Sequence, residues 1–493
     1  MRLLLVNPPH SQFDLSELGP PLGLLRLAGI AREAGWEADI IDFNLLWHTD
    51  PRLRTDFFHA AGAILAEADA SVYGFTSMAV DGHVALELAR GVKRDHPDAR
   101  VVLGGTHFSA IAGEVPARFP WIDAVITGEG ETEFAALLGS VAGHVPVRGA
   151  SPGFVDYDIL PLEPYFAVNP YRTVDVESAR GCRFKCTFCY SPTHYPRRRT
   201  LDTETLLREM SFLAEHGTRH VFFVQDNFLN DEAYALALCA ELAEAKLPLT
   251  WHCYATLPQI NERLVRAMAL AGCRAVFTGI DAIGTASERR YGKRFSSGAE
   301  LKIQLCLEHG IAPTCAFLVA PPSHSCGVNA EQTIRAALVA RALGAQVRLN
   351  VLTYYPGTRL ASATPERFAW DERRVHLEMD VPEVVVANPY AVNAPQLFPF
   401  HARYVSMGEW DRFIQHIHVL FTLLHARTDE LADADRSDAL EFFALADRVL
   451  AGTGDLFAVS KPDRRRREVE AFDSLIDHSF SGADYVFAGK TES

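Results

Sequence analysis

The stretch Glu177-Ser178-Ala179-Arg180-Gly181-Cys182-Arg183-Phe184-Lys185-Cys186-Thr187-Phe188-Cys189-Tyr190 decides how the rest of the chain is read. Its three cysteines are spaced C-x3-C-x2-C. Thiolates are soft ligands, and iron–sulfur clusters are held by cysteines set this close together. Three thiolates satisfy three corners of a cubane and leave one iron open to a small molecule. Zinc would need a fourth Cys or His, and His194 stands near enough in sequence to supply one. Disulfides need pairs, which three clustered thiols fit poorly.

The cysteines open a series of alternating strand and helix signals. Strands are expected at 173–178, 220–224, 250–254, 275–279, 314–319 and 348–353, with helices at 203–216, 231–245, 261–271, 299–309 and 330–343. Six βα units predict a partial (β/α)6 barrel over residues 172–361. Barrel sites lie at the carboxyl ends of the strands, where the cysteine loop stands.

Upstream, residues 2–141 alternate in the same way. Strands at 3–7, 38–43, 72–76, 101–105 and 124–127, with helices such as 22–35 and 84–94, predict a doubly wound, Rossmann-like α/β domain over residues 1–143. Ligands of such sheets bind beyond the carboxyl ends of the strands. Those ends carry Asn7-Pro8-Pro9-His10, Thr76-Ser77-Met78, Gly104-Gly105-Thr106-His107 and Gly128-Glu129-Gly130-Glu131. Their glycines allow close backbone approach to a ligand, and ordinary tight βα turns use the same residues. Residues 144–171 hold Pro146, Pro152, Pro161, Pro164 and Pro170 and read as an extended linker. Residues 362–493, with helical patterns at 413–425 and 437–450, read as a mainly helical C-terminal domain that closes the barrel and shapes the substrate pocket.

Composition narrows the classes. Hydrophobic residues make up 48% and charged residues 22%, as in a soluble globular protein. The net charge of −15 argues against a nucleic-acid footprint, which needs a basic face. The runs Arg197-Arg198-Arg199 and Arg464-Arg465-Arg466-Arg467 have acids nearby and read as solvated surface. No apolar run is long enough for a membrane span, and the short apolar start reads as a first strand and not as a signal peptide. The cysteines outside the cluster form no CxxC pair and read as core residues, so a reducing, cytoplasmic location is expected.

The cysteine stretch resembles the signature of the radical SAM superfamily. Together with Pro20-Pro21-Leu22-Gly23, the Gly-Gly-x-His turn and the Gly-Glu-Gly-Glu turn, the chain resembles the B12-binding-domain (cobalamin-dependent) subfamily. The resemblance implies a [4Fe–4S] cluster on Cys182, Cys186 and Cys189, with S-adenosylmethionine (SAM) chelating the open iron and cleaved to a 5′-deoxyadenosyl radical. It implies SAM contacts from Phe188, Gln225, Asp226, Asp281 and Tyr355. Two departures stand out: Asp281 sits where relatives carry Glu, and Ala320-Pro321-Pro322-Ser323 replaces a Gly-x-Pro-Gly-Glu turn. Cobalamin is implied across the sheet edge at Asn7, Pro8, Pro9, His10, Thr76, Ser77, Met78, Gly104, Gly105, Thr106, His107, Gly128, Glu129, Gly130 and Glu131. Asp81-Gly82-His83 begins the cobalt-ligating D-x-H-x-x-G motif, but Leu86 replaces its glycine, so His83 reads as a helix residue. The activity implied is methylation of an unactivated carbon of a small-molecule substrate, fed by an external electron donor such as flavodoxin or ferredoxin. A non-methylating radical reaction (dehydration, rearrangement or aminocarboxypropyl transfer) and an iron–sulfur or cobalamin sensor are the rival readings.

Overall fold

Short apolar strands, buried at the centre of the sheet and half-buried at its edges, set the N-terminal sheet. Strands β1 (Arg2–Asn7), β2 (Glu37–Asp42), β3 (Val72–Phe75), β4 (Arg100–Leu103) and β5 (Ala124–Val125) are parallel, in the order β2-β1-β3-β4-β5. One face of the sheet packs Leu3, Leu5, Val72 and Val102 against Leu24, Ala28, Phe134 and Leu138 of helices Leu22–Glu33 and Gly130–Ala142. The other packs Leu4, Val6, Tyr73, Phe75, Val101 and Leu103 against helices Phe57–Glu67 and Gly82–Asp95. Each such buried side chain contributes about 1.5–3 kcal/mol. Burial on both faces explains why the strands are continuous apolar runs and do not alternate. The strand order reverses between β1 and β3, which opens a crevice beyond their carboxyl ends. His83 lies buried in helix Gly82–Asp95, as the failed D-x-H-x-x-G pattern suggests.

The structure is a computed structural model. It describes residues 1–9, 18–78, 81–142, 157–281, 298–319, 343–352 and 355–363, together with residues 155, 292, 333, 336–337, 339–341, 368–370 and 400–402. His10, Ala320-Pro321-Pro322-Ser323, Tyr354, Cys326 and the expected helices at 413–425 and 437–450 lie outside the described residues.

The proline-bearing stretch expected to be extended is in part helical. It carries a 3-10 turn at Tyr157–Ile159 and a helix at Glu163–Val168. Pro164 sits in the first turn of that helix, where its missing N–H breaks no hydrogen bond. The Tyr165 hydroxyl, fully buried, donates to Asp42 Oδ2 at 2.6 Å, and Asn169 Nδ2 donates to the Leu18 carbonyl at 2.9 Å. Proline content alone therefore misread this segment.

Two compact units divide the chain: residues 1–254, 270–273 and 354–401 form one, and residues 255–269, 274–353 and 402–493 the other. In the first unit, β6 (Thr173–Val176) runs on into a two-residue strand β7 (Ala179–Arg180), which pairs antiparallel with β8 (Arg199–Thr200). Next come β9 (His220–Phe223) and β10 (Thr250–Ala255), with β9 parallel to both β6 and β10. Asp202 and Asp231 cap the intervening helices Thr203–Glu215 and Glu232–Ala245. In the second unit, β11 (Cys273–Asp281), β12 (Ala312–Val319) and β13 (Gln346–Val351) are parallel, with helix Ala299–Glu308 between β11 and β12. These strands follow the chain order expected of the partial (β/α)6 barrel.

Candidate active site

The cysteine loop has no regular structure and is shaped by polar cross-links. Gly181 has φ +80, a backbone region that favours glycine, and a Cβ there would stand 3.0 Å from the Arg197 carbonyl oxygen. The Gly181 N–H donates to Asp226 Oδ2 at 3.1 Å, just past β9. Asn230 holds the same turn from both sides: its Nδ2 donates to the Gly181 carbonyl at 3.0 Å, and its Oδ1 accepts the Arg183 N–H at 2.8 Å. Farther along, Leu360 N–H donates to the Thr187 carbonyl at 2.7 Å. Asp226 is thus no helix cap. Asn227 caps the short turn that follows it, and Asp231 caps the helix.

Cys186 is buried, and Cys182 and Cys189 are half-buried. Burial pushes the Cys189 thiol up to about 12, and the nearby Cys186, Asp226 and Cys182 add to this against an opposing Ser191 N–H. Thiolates in such a place need positive charge beside them, which bound iron supplies. Among the described residues, no three His, Cys, Asp or Glu side chains converge on one metal ion. A cubane does not require such convergence, because each of its thiolates binds a different iron.

Just before the first cysteine lies a buried ionic clamp. Arg180 donates to both oxygens of Glu177 at 2.8 and 3.0 Å, and pairs with Glu129 at 3.1 Å and Glu131 at 2.6 Å. Arg26 stands 3.4 Å from Glu177, and Arg199 pairs with Glu129. Burial alone would raise the Glu131 carboxyl, but the Arg180 guanidinium outweighs it and holds the group below its usual value. Glu209, which accepts the Tyr157 hydroxyl at 3.2 Å, is pushed up to about 7 by burial, with Arg26 opposing. The clamp ties the turn after β5 to the strand that enters the cysteine loop.

Two cavities adjoin this clamp. The first, about 160 Å³, runs from Arg180, His194 and Tyr195 down to Leu5, Leu24, Val102 and Phe134 under the sheet edge. Thr76, Gly104, Gly105, Gly128, Glu129, Gly130 and Glu131 form its polar mouth. A Cβ on Gly23 or Gly128 would project into open space there. The second cavity, about 290 Å³, brings Met78, Thr106 and His107 from the sheet edge together with Cys189, Tyr190, Ser191, Asp226 and Tyr355. Burial lowers His107 to about 4, so its ring is neutral at physiological pH.

Other expected contacts fall elsewhere. Asn7 donates to Asp42 at 2.9 Å inside the domain, and Ser77 donates to Asp81 at 2.7 Å while fully buried. Asn7, Pro8, Pro9 and Ser77 line neither cavity. Glu129 and Glu131 reach the first cavity, but their carboxylates are committed to arginines. Phe188 is half-buried, and Gln225 is buried with no hydrogen bond to its Oε1 among the described residues. Asp281 ends β11 in the second unit with φ +60, beside a register shift after Gly279. Sequence reasoning missed Arg180, Tyr190 and Tyr195. Their only sequence signal is their position in or just beyond the cysteine stretch.

Residues 14–138 match the B12 binding domain family, and residues 176–325 match the radical SAM superfamily. The chain belongs to the B12-binding radical SAM family. It is 27% identical over 392 residues to an uncharacterized methyltransferase of Pyrococcus horikoshii, covering 73% of this chain and 82% of that one. It is 23% identical to the anaerobic magnesium-protoporphyrin IX monomethyl ester cyclase of Rubrivivax gelatinosus, over 65% of this chain and 62% of that one. It is 24% identical to the hopanoid C-3 methylase of Methylococcus capsulatus, over 56% of each. Among solved structures, the radical SAM methyltransferase TsrM of Kitasatospora setae, with cobalamin and a [4Fe–4S] cluster bound, superposes with a TM-score of 0.60 at 18% identity, over 90% of this chain and 99% of that one. The cobalamin-dependent radical enzyme OxsB aligns with a TM-score of 0.63 at 14% identity, over 97% of this chain and 75% of that one. Those two likenesses establish the shared architecture.

For this family the cofactors are a [4Fe–4S] cluster, SAM and cobalamin. The residues fit them: three thiols share one loop, the Gln225 Oε1 acceptor has no hydrogen bond among the described residues, and the first cavity offers an apolar slot with a glycine-rich mouth. Among the described residues, no helix is long and apolar enough to cross a membrane.

Proposed function

We propose that this radical SAM enzyme methylates an unactivated carbon of a small molecule with the help of cobalamin. The observation that carries the reading is the second cavity, where Cys189 and Asp226 face Met78, Thr106 and His107 of the B12-binding sheet. The kinship with methyltransferases of Pyrococcus and Methylococcus supports it. When bound, the cluster with SAM supplies a carbon-centred radical, and cobalamin supplies the methyl group.

The chain's own residues position and enclose. Cys182, Cys186 and Cys189 would hold the cluster, with Gly181 and Asn230 fixing their loop. Gln225 and Asp226 would accept hydrogen bonds from the SAM ammonium. Phe188 and Tyr355 would pack near the nucleoside. Thr76, Met78, Gly104, Gly105, Thr106, His107, Gly128 and Gly130 would hold cobalamin, and the apolar lining of the first cavity would suit the aromatic base of its nucleotide tail. The side chains of Tyr190, Tyr195 and Tyr355 present an aromatic wall that keeps bulk water from a reactive radical. One electron per cleavage would come from a separate carrier protein, and the setting is cytoplasmic.

A non-methylating radical reaction is the second reading, favoured by the kinship with the Rubrivivax cyclase. One anaerobic incubation with reductant, cobalamin and candidate substrates separates them by mass analysis. 5′-Deoxyadenosine together with S-adenosylhomocysteine supports methylation. 5′-Deoxyadenosine alone moves the assignment to the second reading. Intact SAM in every incubation overturns both.

A further inference from the structure

Charge around the cysteine loop runs opposite to that of the whole chain, whose net charge is −15. Arg183 and Lys185 are exposed on the loop itself. The pairing of β7 with β8 lays Arg197 and Arg198, also exposed, against Gly181: the Arg197 oxygen and the Arg198 Cα stand 3.0 and 3.4 Å from its Cβ position. Arg359, exposed too, donates from Nη1 to the Lys185 carbonyl at 3.4 Å. Among the described residues, none of these five cations pairs with a carboxylate. Arg199, next in the chain, is by contrast matched by Glu129. The exposed carboxylates Asp202 and Asp231 are engaged in capping helices, accepting N–H groups of Thr205, Ala233 and Tyr234. Unmatched like charges on one small surface repel one another, and an ordinary solvated face intersperses both signs.

We propose that this basic rim is the docking surface for a small acidic one-electron carrier protein of the flavodoxin or ferredoxin kind. The proposal rests on the reading that the enclosed cysteines hold the cluster. One electron leaves the reduced carrier and enters the cluster, and no bond forms or breaks in that transfer. Such encounters use small interfaces steered by opposite charge, so the rim needs no apolar groove.

The test uses the reconstituted full chain and reduced flavodoxin. Affinity is measured at low and high salt for the unaltered protein, for R197K/R198K and for R197E/R198E. Charge reversal is expected to weaken binding at least about tenfold at low salt and to flatten its salt dependence, with the lysine variant near the unaltered protein. Carbodiimide cross-linking is expected to join Lys185 to a carboxylate of the carrier. Unchanged affinity in R197E/R198E, or tighter binding of a short RNA than of flavodoxin at equal salt, overturns the proposal. Should the reversed variant fail to fold, R197Q/R198Q gives the same comparison with a smaller loss. Binding is read without turnover, so it decides the docking surface alone. SAM cleavage driven by dithionite in the unaltered protein decides the reading of the loop separately.

Discussion

The N-terminal sheet and the cysteine loop hold their groups by opposite means. The sheet edge is presented by strands whose stability comes from apolar burial on both faces. The loop is held by polar cross-links to Asp226 and Asn230 and by the Arg180 clamp. Damage to the first is therefore expected to unfold a domain, and damage to the loop to spoil one site in a folded protein. The clamp is the exception, because it belongs to both.

The largest effect tests the loop side. Replacing Cys182, Cys186 and Cys189 together by Ala is expected to abolish iron binding and SAM cleavage while far-ultraviolet dichroism stays as in the parent. Loss of the fold in that variant would break the contrast. The next tests the exception. Arg180→Gln leaves Glu131 without its cation and Glu177 with Arg26 alone, which is expected to cost about 3–5 kcal/mol in denaturant unfolding. A loss below about 1 kcal/mol would mean that the clamp is solvated and joins nothing.

How legible this was follows the same division. The sheet could be read because burial on both faces writes continuous apolar runs at 3–6, 72–75 and 101–103. The cysteine spacing was legible because cluster ligation is a local requirement. The clamp was not, because Glu129 and Glu131 lie about fifty residues from Arg180 and meet it only after folding. For the same reason the Gly-Glu-Gly-Glu turn read as ligand contacts alone, while its carboxylates are spent on arginines. The side chains of Asn7 and Ser77, expected as ligand contacts, instead bond to Asp42 and Asp81, because polar residues at strand ends also serve internal hydrogen bonds. Pro164 suggested an extended chain and instead starts a helix.

Glu209 sharpens the comparison through pH. Its carboxyl is raised in the folded protein, from 4.5 to about 7, so the folded state binds more protons across that interval. Its stabilising contribution is full below about pH 4.5 and is lost as pH rises through 7, by about 3 kcal/mol. Glu209→Gln is expected to flatten that part of the stability–pH curve in thermal unfolding. An unchanged slope would assign it to another group.

A smaller effect is expected at Asp226. Asn there can still accept the Gly181 N–H but carries no charge, so iron content and Tm should stay near those of the parent. SAM affinity should fall by about one to two decades, as loss of a charge-assisted hydrogen bond implies. Iron loss with unchanged SAM affinity would make Asp226 a strut of the loop and nothing more.

The central claim is that the cysteine loop and the B12-binding sheet edge serve one shared cavity. Electron paramagnetic resonance of the protein loaded with both the reduced cluster and cob(II)alamin tests it most directly. Two paramagnets bordering one cavity are predicted to split or broaden each other's spectra and to speed each other's relaxation, relative to samples holding either alone. Two unperturbed signals from fully loaded protein would contradict the account.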